Sequence, residues 1–270
     1  MAVVNYATKN LAIKIVYYGP GLSGKTTNLR YIYFKLDPAS RGELICLETD
    51  TERTYFFDLL PIKAGMIGEF KVHFQLMTVP GQVFYEASRK SVLKGTDGII
   101  FVADSQIPLL DANLESFDGL RRNCLQHDID LNQIPLVFQY NKRDLNYLIP
   151  VETFNNLLNP RKCPHVEAVA INGVGVFETL REISKLTVPA VREKYFGEKR
   201  RAEIGPAGPA APDAAGPGAS ASSPDAAEGG DFAPPIGDES FQVTKVKVKS
   251  PKDVEDELDK LSREYGDKLK

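Results

Sequence analysis

Cysteine and histidine are scarce in this 270-residue sequence, at three of each. Nothing in the spacing of Cys46, Cys124 and Cys163 points to a zinc site or a disulfide framework, and the odd count fits a reducing compartment. Cys46 lies in the apolar run LICL and reads as a small buried residue. His73, His127 and His165 are scattered without ligand spacing, which leaves them structural roles. Charge of one sign is lacking too: the formal net charge of −3 gives no basic field for nucleic acid or a membrane surface. No stretch approaches the ~18 apolar residues of a membrane span. The amino terminus, MAVVNYATKN, has neither the charged flank nor the long apolar core of a secretory signal. It lacks Gly at position 2 for myristoylation, and the closing GDKLK has no Cys to prenylate. The expected location is the cytoplasm, without nucleic acid, lipid anchor or membrane span.

What is present is one well-mixed α/β stretch and a tail of different character. The chain is 43% hydrophobic and 26% charged, enough for a single domain with a buried core. Composition breaks near residue 200. Residues 201–236 are dense in Ala, Pro, Gly and Ser and cannot bury enough apolar surface to offset chain entropy, so they read as a disordered linker of net charge −4. Residues 237–270, net −1, hold a Lys-rich strand-like run, FQVTKVKVKS, and then an amphipathic helical pattern. Ser250 and Asp253 fit a capping pattern, Pro251 suits the first helical position, and Val254, Leu258, Leu261, Tyr265 and Leu269 form a thin apolar stripe. Such a segment is either a docking element or a solvated helix. Residues 1–200, net +2, make up the expected domain.

Within that domain, apolar runs alternate with helical patterns. LAIKIVYY (11–18), DGIIFVAD (97–104), PLVFQYN (135–141) and HVEAVA (165–170) read as buried strands. FKVHFQLMTV (70–79) pairs with TYFFDLLPI (54–62) across a turn containing Gly65 and Gly68 as an antiparallel edge. Helices are expected at about 24–36, 83–94, 110–127, 151–158 and 174–187, with Pro189 ending or kinking the last. Tyr17 and Tyr18 close a buried strand as core or base-pocket packing. The expected fold is α/β, a mostly parallel sheet with one antiparallel edge strand and helices on both faces. Ligands in such sheets bind at the carboxyl ends of the strands.

LAIKIVYY runs directly into Gly19-Pro20-Gly21-Leu22-Ser23-Gly24-Lys25-Thr26-Thr27, a match to GxxxxGK[ST]. The glycines let successive N–H groups turn inward onto phosphate oxygens, and the following helix adds its positive end. Lys25 suits β- and γ-phosphates, and the Thr26 hydroxyl suits Mg²⁺. PLVFQY ends in Asn141-Lys142-Arg143-Asp144, the NKxD pattern. A carboxylate at Asp144 accepts both N1–H and the 2-amino group of guanine. Adenine lacks that pair, and sites so built reject the analogue by about 10⁴-fold or more. Lys142 can lie along the base plane, and Asn141 can tie this loop to the phosphate loop. Ala170 and Ile171, in a third strand-end loop, stand where a backbone contact to the base is expected.

The stretch LMTVPGQ carries the γ-phosphate side of the site in Thr78, Pro80 and Gly81, with Gln82 next in line to orient an attacking water. Thr78 stands where an Asp usually helps to hold Mg²⁺. Losing such a group costs about 10- to 100-fold in metal affinity rather than the site itself. Thr78 can hold a metal-bound water through its hydroxyl, and Asp58 on the neighbouring strand adds charge. Arg53, in the polar stretch ETDTERT, can set a guanidinium against transition-state oxygens.

YYGPGLSGKTTN, ETDTERTYFFDLLP, TVPGQVFYEASRKSVLKGTDGIIFVADSQ, QYNKRDL and NGVGVFETL resemble the Ras-like small GTPases, specifically the bacterial MglA-type GTPases of gliding motility and cell polarity. The resemblance spans about residues 5–190 and not the tail. It implies a Ras-like P-loop GTPase domain with GTP/GDP and Mg²⁺ as ligands, and Thr78 as a trait of the branch. It also implies Thr54 as a second metal-binding hydroxyl and Arg53 as an intrinsic catalytic arginine placed by a partner, alongside Gln82. The implied partners are an MglB-type GTPase-activating homodimer of roadblock fold and effectors reached through the switch regions. Turnover is then slow without the activator, and recruitment to cell poles is expected. Two other readings stay open: a guanine-nucleotide-binding scaffold that hydrolyses poorly, and a P-loop kinase, which would favour ATP.

Overall fold

The β-branched and aromatic run Asn10–Tyr18 becomes the central strand of the computed structural model, which describes residues 2–49, 52–81 and 86–197. The expected linker and tail, residues 201–236 and 237–270, lie outside the described residues. Among the described residues, eight strands form one sheet: β1 (Val3–Asn5), β2 (Asn10–Tyr18), β3 (Ile45–Thr49), β4 (Glu52–Ile67), β5 (Phe70–Thr78), β6 (Gly98–Asp104), β7 (Leu136–Asn141) and β8 (His165–Glu167). Their order is β3-β4-β5-β2-β6-β7-β8, with β1 paired antiparallel to the start of β2, ahead of the point where β6 begins. β5, β2, β6, β7 and β8 run parallel. Among the described residues, four helices connect strands, α1 (Lys25–Lys35), α2 (Glu86–Leu93), α3 (Leu110–Leu125) and α4 (Val151–Leu157), and α5 (Val176–Arg192) follows β8.

The two-residue period of β2 divides the core. Leu11, Ile13, Ile15 and Tyr17 face one layer with Leu29 and Ile32 of α1 and Val176 and Ile183 of α5. Val16 and Tyr18 face the other, with Phe117 and Leu120 of α3 and Phe154 of α4. Both tyrosines are therefore core residues, and Tyr18 accepts a hydrogen bond from Asn123 Nδ2 at 3.1 Å. Helices on both faces of a mostly parallel sheet with an antiparallel edge agree with the Ras-like P-loop fold expected from the sequence.

Three details go beyond the sequence-based expectation. The antiparallel edge, β4 against β5, is longer than 54–62, and β3 lies outside it, antiparallel to β4. Cys46, buried as expected, belongs to that added strand. The β4–β5 ladder slips between Lys63 and Gly65, and the chain turns at Gly68. α5 does not stop before Pro189 but continues to Arg192, followed by a π-helical turn, Glu193–Gly197. A proline near a carboxyl terminus removes one intrahelical bond. Here buried Val191 and the contact of Phe196 with Phe70, 5.1 Å between ring centres, hold the last turns in place.

Candidate functional site

The phosphate-loop sequence lies between β2 and α1, at the carboxyl end of the sheet's central strand, where β5 and β6 diverge to either side. Gly24 caps α1 at φ 100, and a Cβ there would lie 2.2 Å from Asn141 Nδ2. A left-handed backbone and an abutting side chain both demand glycine. Leu22 points out, 91% exposed, whereas Ser23 and Lys25 are buried. The Lys25 ammonium donates to the carbonyls of Gly19 at 2.9 Å and Pro20 at 2.6 Å. Burial pushes its pKa down to about 7; Asp58 opposes the shift and Arg89 adds to it. Ser23 Oγ is buried without a protein partner. A desolvated ammonium, an unpaired buried hydroxyl and a helix N-terminus fit an anionic oxygen ligand.

Beneath the loop, Asn28 and Gln139 exchange amide hydrogen bonds at 2.8 and 2.9 Å, and Gln139 reaches Thr179 at 2.9 Å. All three are fully buried, so each bond also avoids the cost of an orphaned polar group. This network fixes α1 against β7 and α5. Asn141, at the end of β7, completes the frame. Its Nδ2 donates to Ser23 O at 2.8 Å, and its Oδ1 accepts from the Ala170 amide at 2.9 Å. The three loops expected from the sequence are thus joined by one side chain.

Lys142 follows at φ 65, a left-handed conformation that costs a non-glycine residue roughly 1–2 kcal/mol. Its ammonium pairs with Asp104 Oδ2 at 2.7 Å. Arg143 turns away from the site to Glu167 at 2.8 Å and the Ile149 carbonyl at 2.8 Å, which leaves Asp144 exposed at the loop's crest. The Ala170 amide is already engaged by Asn141, and Ile171, 63% exposed, is the outward residue of that loop.

On the β5 side, one buried carboxylate collects two hydroxyls. Asp58 Oδ2 accepts from Thr26 Oγ1 at 2.7 Å and from Thr78 Oγ1 at 2.9 Å, while the Asp58 amide donates to Thr78 Oγ1 at 2.9 Å. A carboxylate on the adjacent strand thus stands beside the Thr78 hydroxyl. These are hard oxygen donors of the kind Mg²⁺ takes, beside the phosphate loop. The chain beyond β5 passes close to that loop. A Cβ on Gly81 would lie 2.5 Å from Gly21 Cα, so only glycine fits between them, and Pro80 is buried.

Gln82 lies outside the described residues, as do the side chains of Arg53 and Thr54. The backbone of both is strand, as expected for Thr54 but not for Arg53, within β4 where its pairing with β3 slips between Leu47 and Thr49. Sequence reasoning gave Asp58 only a secondary role and missed Asp104 and the Asn28–Gln139–Thr179 network. A polar residue inside an apolar strand, as Gln139 is in LVFQYN, was the available signal.

No protein-family model matches the chain. It is 53% identical over 193 residues to the mutual gliding-motility protein MglA of Myxococcus xanthus, an overlap covering 72% of this chain and 99% of that protein. Among the described residues, no helix is long and apolar enough to cross a membrane.

Proposed function

We propose, from the premise that this chain belongs to the MglA family of Ras-like small GTPases, that it binds GTP and GDP, hydrolyses GTP and acts as a switch in gliding motility or cell polarity. The observation that carries this is the Asn141 side chain, which binds the phosphate loop through Ser23 and the third loop through Ala170. A loop made for phosphates and a loop made for guanine are thereby held at one fixed spacing.

In this reading Lys25 and the amides of residues 19–27 grip the phosphates, and Asp144 takes the guanine edge with Lys142 along the base. Thr26, Asp58 and Thr78 would hold Mg²⁺, with Thr54 a further candidate; the ion supplies positive charge to the phosphate oxygens. Gln82 orients the attacking water through its amide donor and acceptor. Arg53 brings a guanidinium to the developing charge, a contribution worth about 10³- to 10⁵-fold. Residues 49–60 and 78–90 are held one way with the γ-phosphate and another way after hydrolysis, which gives effectors a surface to distinguish. An MglB-type roadblock homodimer is the proposed activator, with slow turnover in its absence and recruitment to cell poles as the cellular readout. Residues 201–236 serve as a linker to a docking segment at 237–270.

Identifying the nucleotide retained on purification, followed by competition of GTP, GDP and ATP at micromolar concentration, tests the proposal. Retention or displacement by guanine nucleotides alone supports it; indifference to them, or preference for ATP, overturns it. A hydrolysis-poor scaffold is the second reading, because Thr78 stands where such switches carry an Asp. Single-turnover hydrolysis with and without the activator separates the two.

A further inference from the structure

We infer that Asp104 is a positioning residue for the purine base: its carboxylate holds the Lys142 ammonium and so sets the loop from which Asp144 meets guanine. The inference rests on the guanine-nucleotide reading above. Asp104 ends β6 directly beside Asn141 in the parallel register, so the two last residues of neighbouring strands serve the same loop. Its side chain is 2% exposed and that of Lys142 28% exposed, so the ammonium is drawn inward while the stem stays near the surface. Oδ1 of Asp104 also accepts from the Gln106 amide and from Gln106 Nε2, both at 3.1 Å. From the other side, Asn113 of α3 grips the Asp104 backbone, accepting from its amide at 2.9 Å and donating to its carbonyl at 2.8 Å. The carboxylate has almost no freedom to follow a wandering lysine.

The carboxylate is not what joins the two loops. Backbone bonds do that: Ser105 N to Asn141 O at 3.0 Å, Ile149 N to Ser105 O at 2.8 Å and Ile107 N to Tyr147 O at 3.0 Å. The distinct work of Asp104 is on Lys142, whose left-handed backbone and four-carbon stem would otherwise sample many arrangements. With its carbonyl accepting from the Leu145 amide at 3.3 Å and its ammonium held by Asp104, the stem becomes an ordered apolar rail on which a flat purine can lie, and the cost of ordering it is met before the ligand arrives. Because the pair is mostly buried, removing one charge leaves the other uncompensated, and the two residues should act as one unit.

The test is release of a fluorescent GDP analogue from the full-length protein. Asp104→Asn, which keeps the shape, is expected to speed release about tenfold, and Lys142→Met to do likewise. The double variant is expected to release no faster than the faster single, since both substitutions break the same pair. Unchanged release from Asp104→Asn, or single effects that multiply in the double, would overturn the inference. Should Asp104→Asn fail to fold, Lys142→Arg against Lys142→Met carries the test: the retained charge should keep release slow, and equal rates would refute the role. If the parent protein binds no guanine nucleotide, the functional reading fails first; if it binds and Asp104→Asn releases normally, only this inference falls.

Discussion

The two flanks of β2 are built differently. Toward β6 and β7 the strands run parallel in unbroken register; the buried Asn28, Gln139 and Thr179 bond one another, and buried Asn141 bonds Ser23 and Ala170. Toward β4 and β3 the ladder is antiparallel and slips at Leu47–Thr49 and again at Lys63–Gly65. There a single carboxylate, Asp58, is shared by hydroxyls from α1 and β5. Register on the first flank runs without a shift; on the second it is already interrupted at two places. The proposed division of labour follows that difference. Groups for recognising the nucleotide sit on the flank of unbroken register, and Arg53 and Thr54 belong to the flank whose register is interrupted.

The sharpest break of this comparison is Asp144→Asn. An amide in place of the carboxylate sets a donor against guanine's two donors while the phosphate loop is untouched. GDP affinity is expected to fall by about 10⁴-fold, and selectivity over ATP to vanish with it. Competition binding measures both, and an unaltered preference for guanine would remove the base loop from the recognising flank. Next in size is Arg53→Ala, expected to lower activator-stimulated GTP turnover by about 10³-fold without altering GDP affinity. Gln82→Ala is expected to lower both basal and stimulated turnover, again at constant affinity. If either weakened binding as strongly as hydrolysis, the separation of the two flanks would be artificial.

Smaller effects are expected where the flanks meet. Asp58→Asn should weaken Mg²⁺ by about 10- to 100-fold. Thr78→Asp should tighten Mg²⁺ and lower the melting temperature of the metal-free protein, because a second carboxylate would face Asp58 at the distance now spanned by a hydrogen bond. Metal titration and thermal melting of the two variants give the answer; a Thr78→Asp protein unchanged in both would show that Asp58 and Thr78 do not share a metal.

How much was legible in the sequence also divides between the flanks. Strand periodicity placed β2, β5, β6 and β7, and fixed spacings placed Gly19–Thr27 and Asn141–Asp144, because those features are local: a turn or a strand end specifies them within a few residues. The Asp58–Thr26–Thr78 cluster depends on three elements meeting. β3 and the full length of β4 depend on pairing across slips that no local pattern reports. Pro189 does not end its helix for a related reason, since its local penalty is outweighed by tertiary packing of Val191 and Phe196. Asp104 was visible only as the end of an apolar run; its pairing with Lys142 required the parallel register of β6 on β7.

The smallest expected effect tests the phosphate loop itself. Burial holds the Lys25 ammonium at about 7, against an ordinary lysine value near 10.5. A polyphosphate beside it would favour the charged form and raise that value again, so binding takes up a proton. Between the two values affinity must therefore fall as pH rises, by about fivefold from pH 7 to 8 for a single such group. Stability of the unliganded fold moves the opposite way over the same window, because there the unfolded chain binds the extra proton and each step up in pH favours the folded form. Lys14, lowered to about 8 by burial, contributes to that stability slope but has no place at the loop. Lys25→Arg, charged throughout, should bind GDP with a flat pH profile. GDP titration calorimetry in buffers of different ionisation enthalpy reads the proton directly; uptake of none near pH 7.5 by the parent protein would mean that the ammonium is already charged where it lies, and that the loop awaits no anion to complete it.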